Sequence, residues 1–276
     1  MKQILVTFNF SLEDEYALDF AAKLAKQSHS YLHVLTFGND LLGVEAENLE
    51  YENVKKQNII AHNTKTGITE DLISKIAFLD EKLIQIESLP EFDYSEINRL
   101  IKKLEIDLVV AGLHKKTKIN DHVFGSITEK LVRSVNCPII TVKEKFQNES
   151  VKTIVFASNF EEEIKLPFFG FLKLSGQLKA KTHLLYVNTP ENFKNTDYIN
   201  QTMNWFSEDY QKNSFTLNTY DAHSVEEGVL AFAKEINADL IGIISHEKTR
   251  FTLMSSSLTE KLINISEIPI LNVSIV

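Results

Sequence analysis

A chain of 276 residues, 43% hydrophobic and 24% charged, has the length for two ordinary domains, each able to bury its own core. Its formal charge of −9, split as −5 over residues 1–149 and −4 over 150–276, argues against nucleic acid and anionic membrane as partners. Its 9 glycines and 5 prolines are few, and a chain that holds nucleotide on backbone amides usually needs several glycines in one place.

The elements follow in chain order. Ile4 to Phe8 is a short apolar run that reads as a strand ending at Asn9-Phe10. Ser11 is placed to cap the next helix, with Asp14 three positions on as in a capping box. Tyr16, Leu18, Phe20, Ala21, Leu24 and Ala25 then recur near helical spacing. Tyr31 to Phe37 reads as the second strand. Residues 45–80 are helix-like with a break at Thr64 to Thr69. Lys82 to Glu87 alternates as a third strand, Ser95 opens a helix through Leu104, and Asp107 to Gly112 is a buried strand ending in glycine. Ser126 caps a helix through Val135, and Ile139 to Val142 is a last strand behind Pro138. Strands alternating with helices imply parallel units with right-handed crossovers.

The second half repeats the order. Strands are expected near 152–157, 182–187, 214–220, 239–245 and 270–275, and helices near 162–177, 195–211, 224–236 and 257–265. The repeat is visible in residues. Asn9-Phe10 matches Asn159-Phe160, and His33 matches His183, at one offset; Thr128-Glu129-Lys130-Leu131 matches Thr259-Glu260-Lys261-Leu262, and Pro138 matches Pro269, at a smaller one. The first half therefore carries extra residues, which fall in the helical stretch of 40–80. Glu144 to Ser150 is the polar junction, so the domains are taken as 1–147 and 148–276. Its shortness predicts that they pack together.

Ligands of open parallel sheets sit beyond the carboxyl ends of strands where strand order reverses. That places Asn9, Ser11, Gly112 and the loop into Gly125-Ser126 around one crevice. Free N–H groups at the helix start after Ser126 would suit a phosphate, and Gly112 would allow close backbone approach. Ordinary turn and cap chemistry explains the same glycines. Lys115, Lys116 and Lys118 form a basic loop beside this place; it is a phosphate contact or a solvated run.

The run Asp107-Leu108-Val109-Val110-Ala111-Gly112, the Gly125-Ser126 pair and Cys137-Pro138-Ile139-Ile140-Thr141-Val142 resemble the universal stress protein (UspA-like) family, as does Ile4-Leu5-Val6 with Ser11. The resemblance covers nearly the whole chain, twice, as in tandem members. It implies an α/β fold of two tandem open parallel-sheet, Rossmann-like domains of strand order 3-2-1-4-5. It also implies a stress-response role, with ATP bound by some members and not others. The family's phosphate motif is glycine, two residues, glycine, nine residues, glycine, then serine or threonine. Gly112, Lys115, Gly125 and Ser126 keep that spacing with lysine at the second glycine, and the family's strand-1 aspartate is Asn9. In the second half these places hold Ile244, Glu247, Ser256-Ser257 and Asn159. An Ile cannot take a glycine's left-handed backbone and Glu247 would repel phosphate, so the second site is read as having lost nucleotide.

The cofactor-binding set is thus Asn9, Ser11, Gly112, Lys115, Gly125 and Ser126, with either ATP in the first domain or no cofactor; no catalytic or metal residue is assigned. His33 with His183, and His114 with His246, are read as structural, because no pair has zinc spacing. Cys137 matches Ile268 and reads as apolar packing; Phe168, Phe169 and Phe171 read as core. The reading is a non-catalytic stress-response binding protein. An ATP-binding switch or slow ATPase using the first domain, and a small-ligand module with a repurposed crevice, are the alternatives. One cysteine allows no internal disulfide, and Met1 to Val6 runs into acids by Glu13 without a signal-peptide pattern or a bilayer-length apolar run, which reads as cytoplasmic. The two domains are expected to pair as an intramolecular pseudo-dimer through Ile139–Val142 and Ile270–Ile275, removing two exposed edges; a homo-oligomer of whole chains is left open.

Overall fold

A computed structural model describes residues 1–37, 72–90, 92–113, 127–210, 215–245 and 258–274. The first half contains strands β1 (Gln3–Phe8), β2 (Tyr31–Phe37), β3 (Ile84–Leu89), β4 (Leu108–Gly112) and β5 (Ile139–Val142). Its helices are α1 (Leu12–Ser28), α2 (Tyr94–Lys103) and α3 (Ile127–Ser134). The second half contains β6 (Thr153–Ala157), β7 (Lys181–Asn188), β8 (Phe215–Asp221), β9 (Leu240–Ser245) and β10 (Ile270–Ser274). Its helices are α4 (Lys165–Leu178), α5 (Thr196–Glu208), α6 (Val225–Glu235) and α7 (Leu258–Ile265). The ten strands form one sheet of order β3-β2-β1-β4-β5-β10-β9-β6-β7-β8. Each half is thus a parallel sheet of order 3-2-1-4-5, as the resemblance implied.

The halves meet as expected, through their last strands. β5 and β10 pair antiparallel, with Leu271 opposite Ile140, Ile270 opposite Thr141 and Asn272 opposite Ile139. Ile140 and Leu271 are repeat equivalents, so a pseudo-two-fold axis passes between them and the other two pairs exchange across it. The seam removes one edge from each half. Apolar residues fill both faces of the sheet, as a parallel sheet covered on both sides requires. One core holds Ile4, Val6 and Phe8 of β1 with α1, α4 and Phe206 of α5; the other holds Leu5, Val109 and Ile139 with Ile97, Leu131, Phe232 and Leu262. Both cores run through both halves.

The junction is structured from both sides. Phe146 is buried against Phe20 of α1, with ring centroids 4.9 Å apart, and Lys23 Nζ donates to its carbonyl at 3.1 Å. Asn148 donates to Asp239 Oδ1 at 2.7 Å, and the other oxygen of Asp239 accepts from the backbone N–H of Lys152 and Thr153.

Helix ends explain part of the glycine shortage. Among the described residues the left-handed non-glycine positions are Phe10, His29, Glu105, Phe160, Lys179 and Asn237. They form three repeat-related pairs. His29, Lys179, Glu105 and Asn237 each follow a helix, where glycine is the usual residue. The next N–H then closes the turn, as in Ser30 to the Ala25 carbonyl at 2.9 Å and Ala180 to the Ser175 carbonyl at 3.1 Å.

Some boundaries differ from expectation. β3 begins at Ile84, because the Asp80 side chain accepts from Lys82 N and holds Glu81–Leu83 as a 3-10 turn. α2 begins at Tyr94, because the Asp93 carboxylate caps it by accepting from Ser95 N at 2.7 Å. The helix expected over 162–177 starts as a 3-10 turn at Glu162–Ile164 before α4. The helical stretch of 45–80 lies outside the described residues up to its last turns, where Leu72, Ile76 and Leu79 are buried in the α1-side core.

Candidate functional site

The strand order reverses between β1 and β4, which places the switch-point crevice at the carboxyl ends of these strands. The loop Asn9-Phe10-Ser11 leaves β1 there. It is pinned by one buried carboxylate. Asp14 Oδ2 accepts from Asn9 N at 3.0 Å, Ser11 N at 3.3 Å and Ser11 Oγ at 2.8 Å. Asp14 N donates back to Ser11 Oγ at 3.0 Å, completing the expected capping box. With its backbone N–H spent on Asp14, Asn9 has a side-chain oxygen that is buried and without a hydrogen-bond partner among the described residues. A buried acceptor left unpaired is unfavourable, and an N–H or O–H donor from a bound molecule would satisfy it.

Gly112 ends β4 beside this loop. A Cβ there would come within 2.6 Å of the Glu13 backbone carbon and oxygen and 2.7 Å of Asp14 N. The absent side chain is therefore used to seat α1 on β4. The Gly112 carbonyl accepts from Thr128 Oγ1 at 2.6 Å, and Leu113 N donates to the Val142 carbonyl at 2.8 Å. These three contacts fix the strand end and give the first threonine of the repeated Thr-Glu-Lys-Leu a role that spacing alone did not show. Lys115, Gly125 and Ser126, with His114, Lys116 and Lys118, lie outside the described residues.

The second half builds the same corner from other chemistry. The place of Asp14 is taken by Ile164, fully buried, and that of Ser11 by Glu161, whose side chain makes no capping bond. Asn159 is exposed, and Phe160 N donates to Ser158 Oγ at 3.2 Å. Phe160 turns inward, 5.2 Å from the Phe206 ring of α5, and joins a cluster with Phe156, Phe168, Phe171 and Tyr210. Ile244 stands where Gly112 does, and the glycine has moved to Gly242, whose Cα lies under Phe171 and Phe156. The exchange of Asp14 for Ile164 was readable in the sequence once the repeat was aligned, and it was the signal that sequence reasoning missed. Glu247, Ser256 and Ser257 lie outside the described residues.

His246 lies outside the described residues, and the other titratable candidates are packed into the fold. His33 Nε2 lies 2.8 Å from Gln3 Oε1, and burial lowers its pKa against the opposing pull of Glu87. His183 Nδ1 lies 2.8 Å from Thr216 Oγ1, and burial lowers its pKa too. Burial pushes the Cys137 thiol up to about 12, which leaves it protonated and unreactive at neutral pH. Phe168 and Phe171 are core as expected, while Phe169 is exposed because it points to the opposite side of α4. Among the described residues no group of three His, Cys, Asp or Glu is placed to hold a metal, and no helix is long and apolar enough to cross a membrane.

Residues 1–143 match the model of the Universal stress protein family. A universal stress protein of Methanocaldococcus jannaschii is 29% identical over 110 residues, which span 38% of this chain and 65% of that protein. A protein of Helicobacter hepaticus named large ribosomal subunit protein bL9 is 28% identical over 127 residues, or 45% of this chain and 82% of that one. The bL9 name points to another family, and the family model over residues 1–143 decides against it. The crystal structure of a universal stress protein from Archaeoglobus fulgidus superposes with a TM-score of 0.72 at 15% identity, covering 99% of this chain and 98% of that one. At that identity the likeness is one of fold.

Proposed function

The chain belongs to the universal stress protein family, and we propose that it is a non-catalytic binding protein whose first half receives a nucleotide while the second half serves as scaffold. The observation that carries this reading is the unpaired, buried Asn9 Oδ1 on a loop held rigid by Asp14. Its counterpart in the second half is exposed, and the aromatic cluster around Phe160 fills the adjoining corner. A ribose hydroxyl or a base N–H would supply the donor that Asn9 Oδ1 lacks. In this reading Lys115 and the helix start at Gly125-Ser126 take the phosphates. The Gly112 backbone shapes the wall without needing to approach the ligand.

The domain boundary belongs to the same proposal. Phe146 packs on α1, Asn148 bonds Asp239 of the second half, and Val151 still exchanges hydrogen bonds with Gln27 of α1, so the junction is held by both halves. We place the domain boundary within this junction, as 1–147 and 148–276, and read the chain as acting in a stress response in the cytoplasm.

The test is calorimetric titration of the full chain with Mg-ATP. One site per chain is expected, abolished in Asn9→Leu and kept in Asn159→Leu. No heat at millimolar ATP, or two equivalent sites, overturns the reading.

A further inference from the structure

Of the left-handed non-glycine residues, His29, Glu105, Lys179 and Asn237 close helix ends, while Phe10 and Phe160 follow the strands β1 and β6. For a bulky L-residue this backbone is strained, and it persists only where something holds it. Phe160 is held by burial of its ring in the aromatic cluster with Phe206. Phe10 is not. Among the described residues its ring has one aromatic contact, edge-on to Phe8 at 5.0 Å, and it stays 40% exposed.

The open part of this ring has a definite place. Phe8 is the last residue of β1 and is 1% exposed. The Phe10 ring therefore stands over the carboxyl end of β1, where the strand order reverses toward β4. Its loop is fixed, because Asp14 Oδ2 accepts from the N–H groups on both sides of Phe10, those of Asn9 and Ser11. One residue before the ring, Asn9 Oδ1 is buried and lacks a donor among the described residues. A short clamped loop thus carries an aromatic ring with an open side next to an acceptor that needs a partner.

A nucleoside matches both. Its base has a flat π face for an aromatic ring, and its base N–H or ribose hydroxyl is a donor for an amide oxygen. We propose that Phe10 is the base-positioning residue of the first half, packing its ring against the base of the bound nucleotide while Asn9 Oδ1 accepts from the same nucleoside. The backbone strain at Phe10 serves to hold the ring at the strand end. In the second half the equivalent ring lies in the core and offers no such platform. This inference rests on the reading that the first half receives a nucleotide, and it names the residue that holds the base.

The experiment is calorimetric titration of the full chain with Mg-ATP. Phe10→Leu keeps an apolar side chain and removes the π face; it is expected to weaken binding at least about tenfold, whereas Phe10→Tyr keeps the affinity. Trp205 is the chain's one tryptophan, so Phe10→Trp combined with Trp205→Phe emits from position 10 alone. That emission is expected to be quenched as Mg-ATP saturates the chain. Unchanged circular dichroism shows that the variants are folded. Equal affinity of Phe10→Leu and the parent chain, or emission from position 10 that saturation leaves unmoved, overturns the inference and leaves the nucleotide reading standing. No binding of Mg-ATP by the parent chain overturns both.

Discussion

Phe10 and Phe160 hold equivalent places with the same left-handed backbone, φ 60° and 58°, yet Phe10 is 40% exposed and Phe160 is fully buried. The turn is shared and its support is not. In the first half Asp14 gathers three hydrogen bonds from the loop, and Phe10 needs only an edge-on contact with Phe8 at 5.0 Å. In the second half Ile164 replaces that carboxylate and the ring itself anchors the turn against Phe206. The polar clamp leaves the Phe10 ring exposed; the hydrophobic one buries the Phe160 ring.

Gly112 tests the packing account of the strand end. Its substitution by alanine drives a Cβ into backbone atoms of Glu13 and Asp14, which cannot rotate away. Gly112→Ala is expected to destabilise the chain by roughly 1–3 kcal/mol in urea unfolding. A neutral result would show that α1 is not seated as tightly as described.

The left-handed helix caps predict the opposite sign. Lys179 is exposed, has φ 52° and follows α4 where glycine is favoured. Lys179→Gly is expected to stabilise by roughly 1 kcal/mol, the strain an L-residue carries in this region. Unfolding midpoints that fall on this substitution contradict the cap geometry.

Much of this was legible in the residues. The alternation of strands and helices carried the parallel α/β class, the resemblance to the universal stress protein family carried the strand order, and the match of Pro138 with Pro269 marked β5 and β10 as equivalent last strands. The starts of α2 and β3 were not legible, because Asp93 and Asp80 compete with their neighbours for the same free N–H groups. The use of Gly112 was hidden because its contacts lie on Glu13 and Asp14, far away in sequence. The burial of Phe160 depends on α5, whose approach no local pattern encodes.

The seam holds two buried polar side chains at equivalent positions, Thr141 and Asn272. Thr141 Oγ1 and Asn272 Oδ1 have no hydrogen-bond partner among the described residues. Replacing an unsatisfied buried amide by an apolar group of similar size is expected to be favourable. Asn272→Leu should raise stability by about 1–2 kcal/mol. A loss of stability would mean that the amide is paired in solution, for instance by a bridging water.

His33 and His183 set the acid side of stability. Burial depresses both pKa values below 6.5, with Glu87 opposing at His33 and Lys181 adding at His183. A histidine depressed in the folded state binds its proton more readily when the chain unfolds. The contribution is therefore intact above about 6.5 and is lost as pH falls from there toward the folded values. Melting temperature should fall on acidification below about pH 6.5, and less steeply in His183→Gln. An equal slope in the variant contradicts this assignment.

The most direct test of a single competent half is the structure of the full chain crystallised with Mg-ATP. The account predicts a nucleotide at the ends of β1 and β4, with a donor at about 3 Å from Asn9 Oδ1 and none beside Asn159. Nucleotide seated in the second half, or bound in the first half without contact to Asn9, would contradict it.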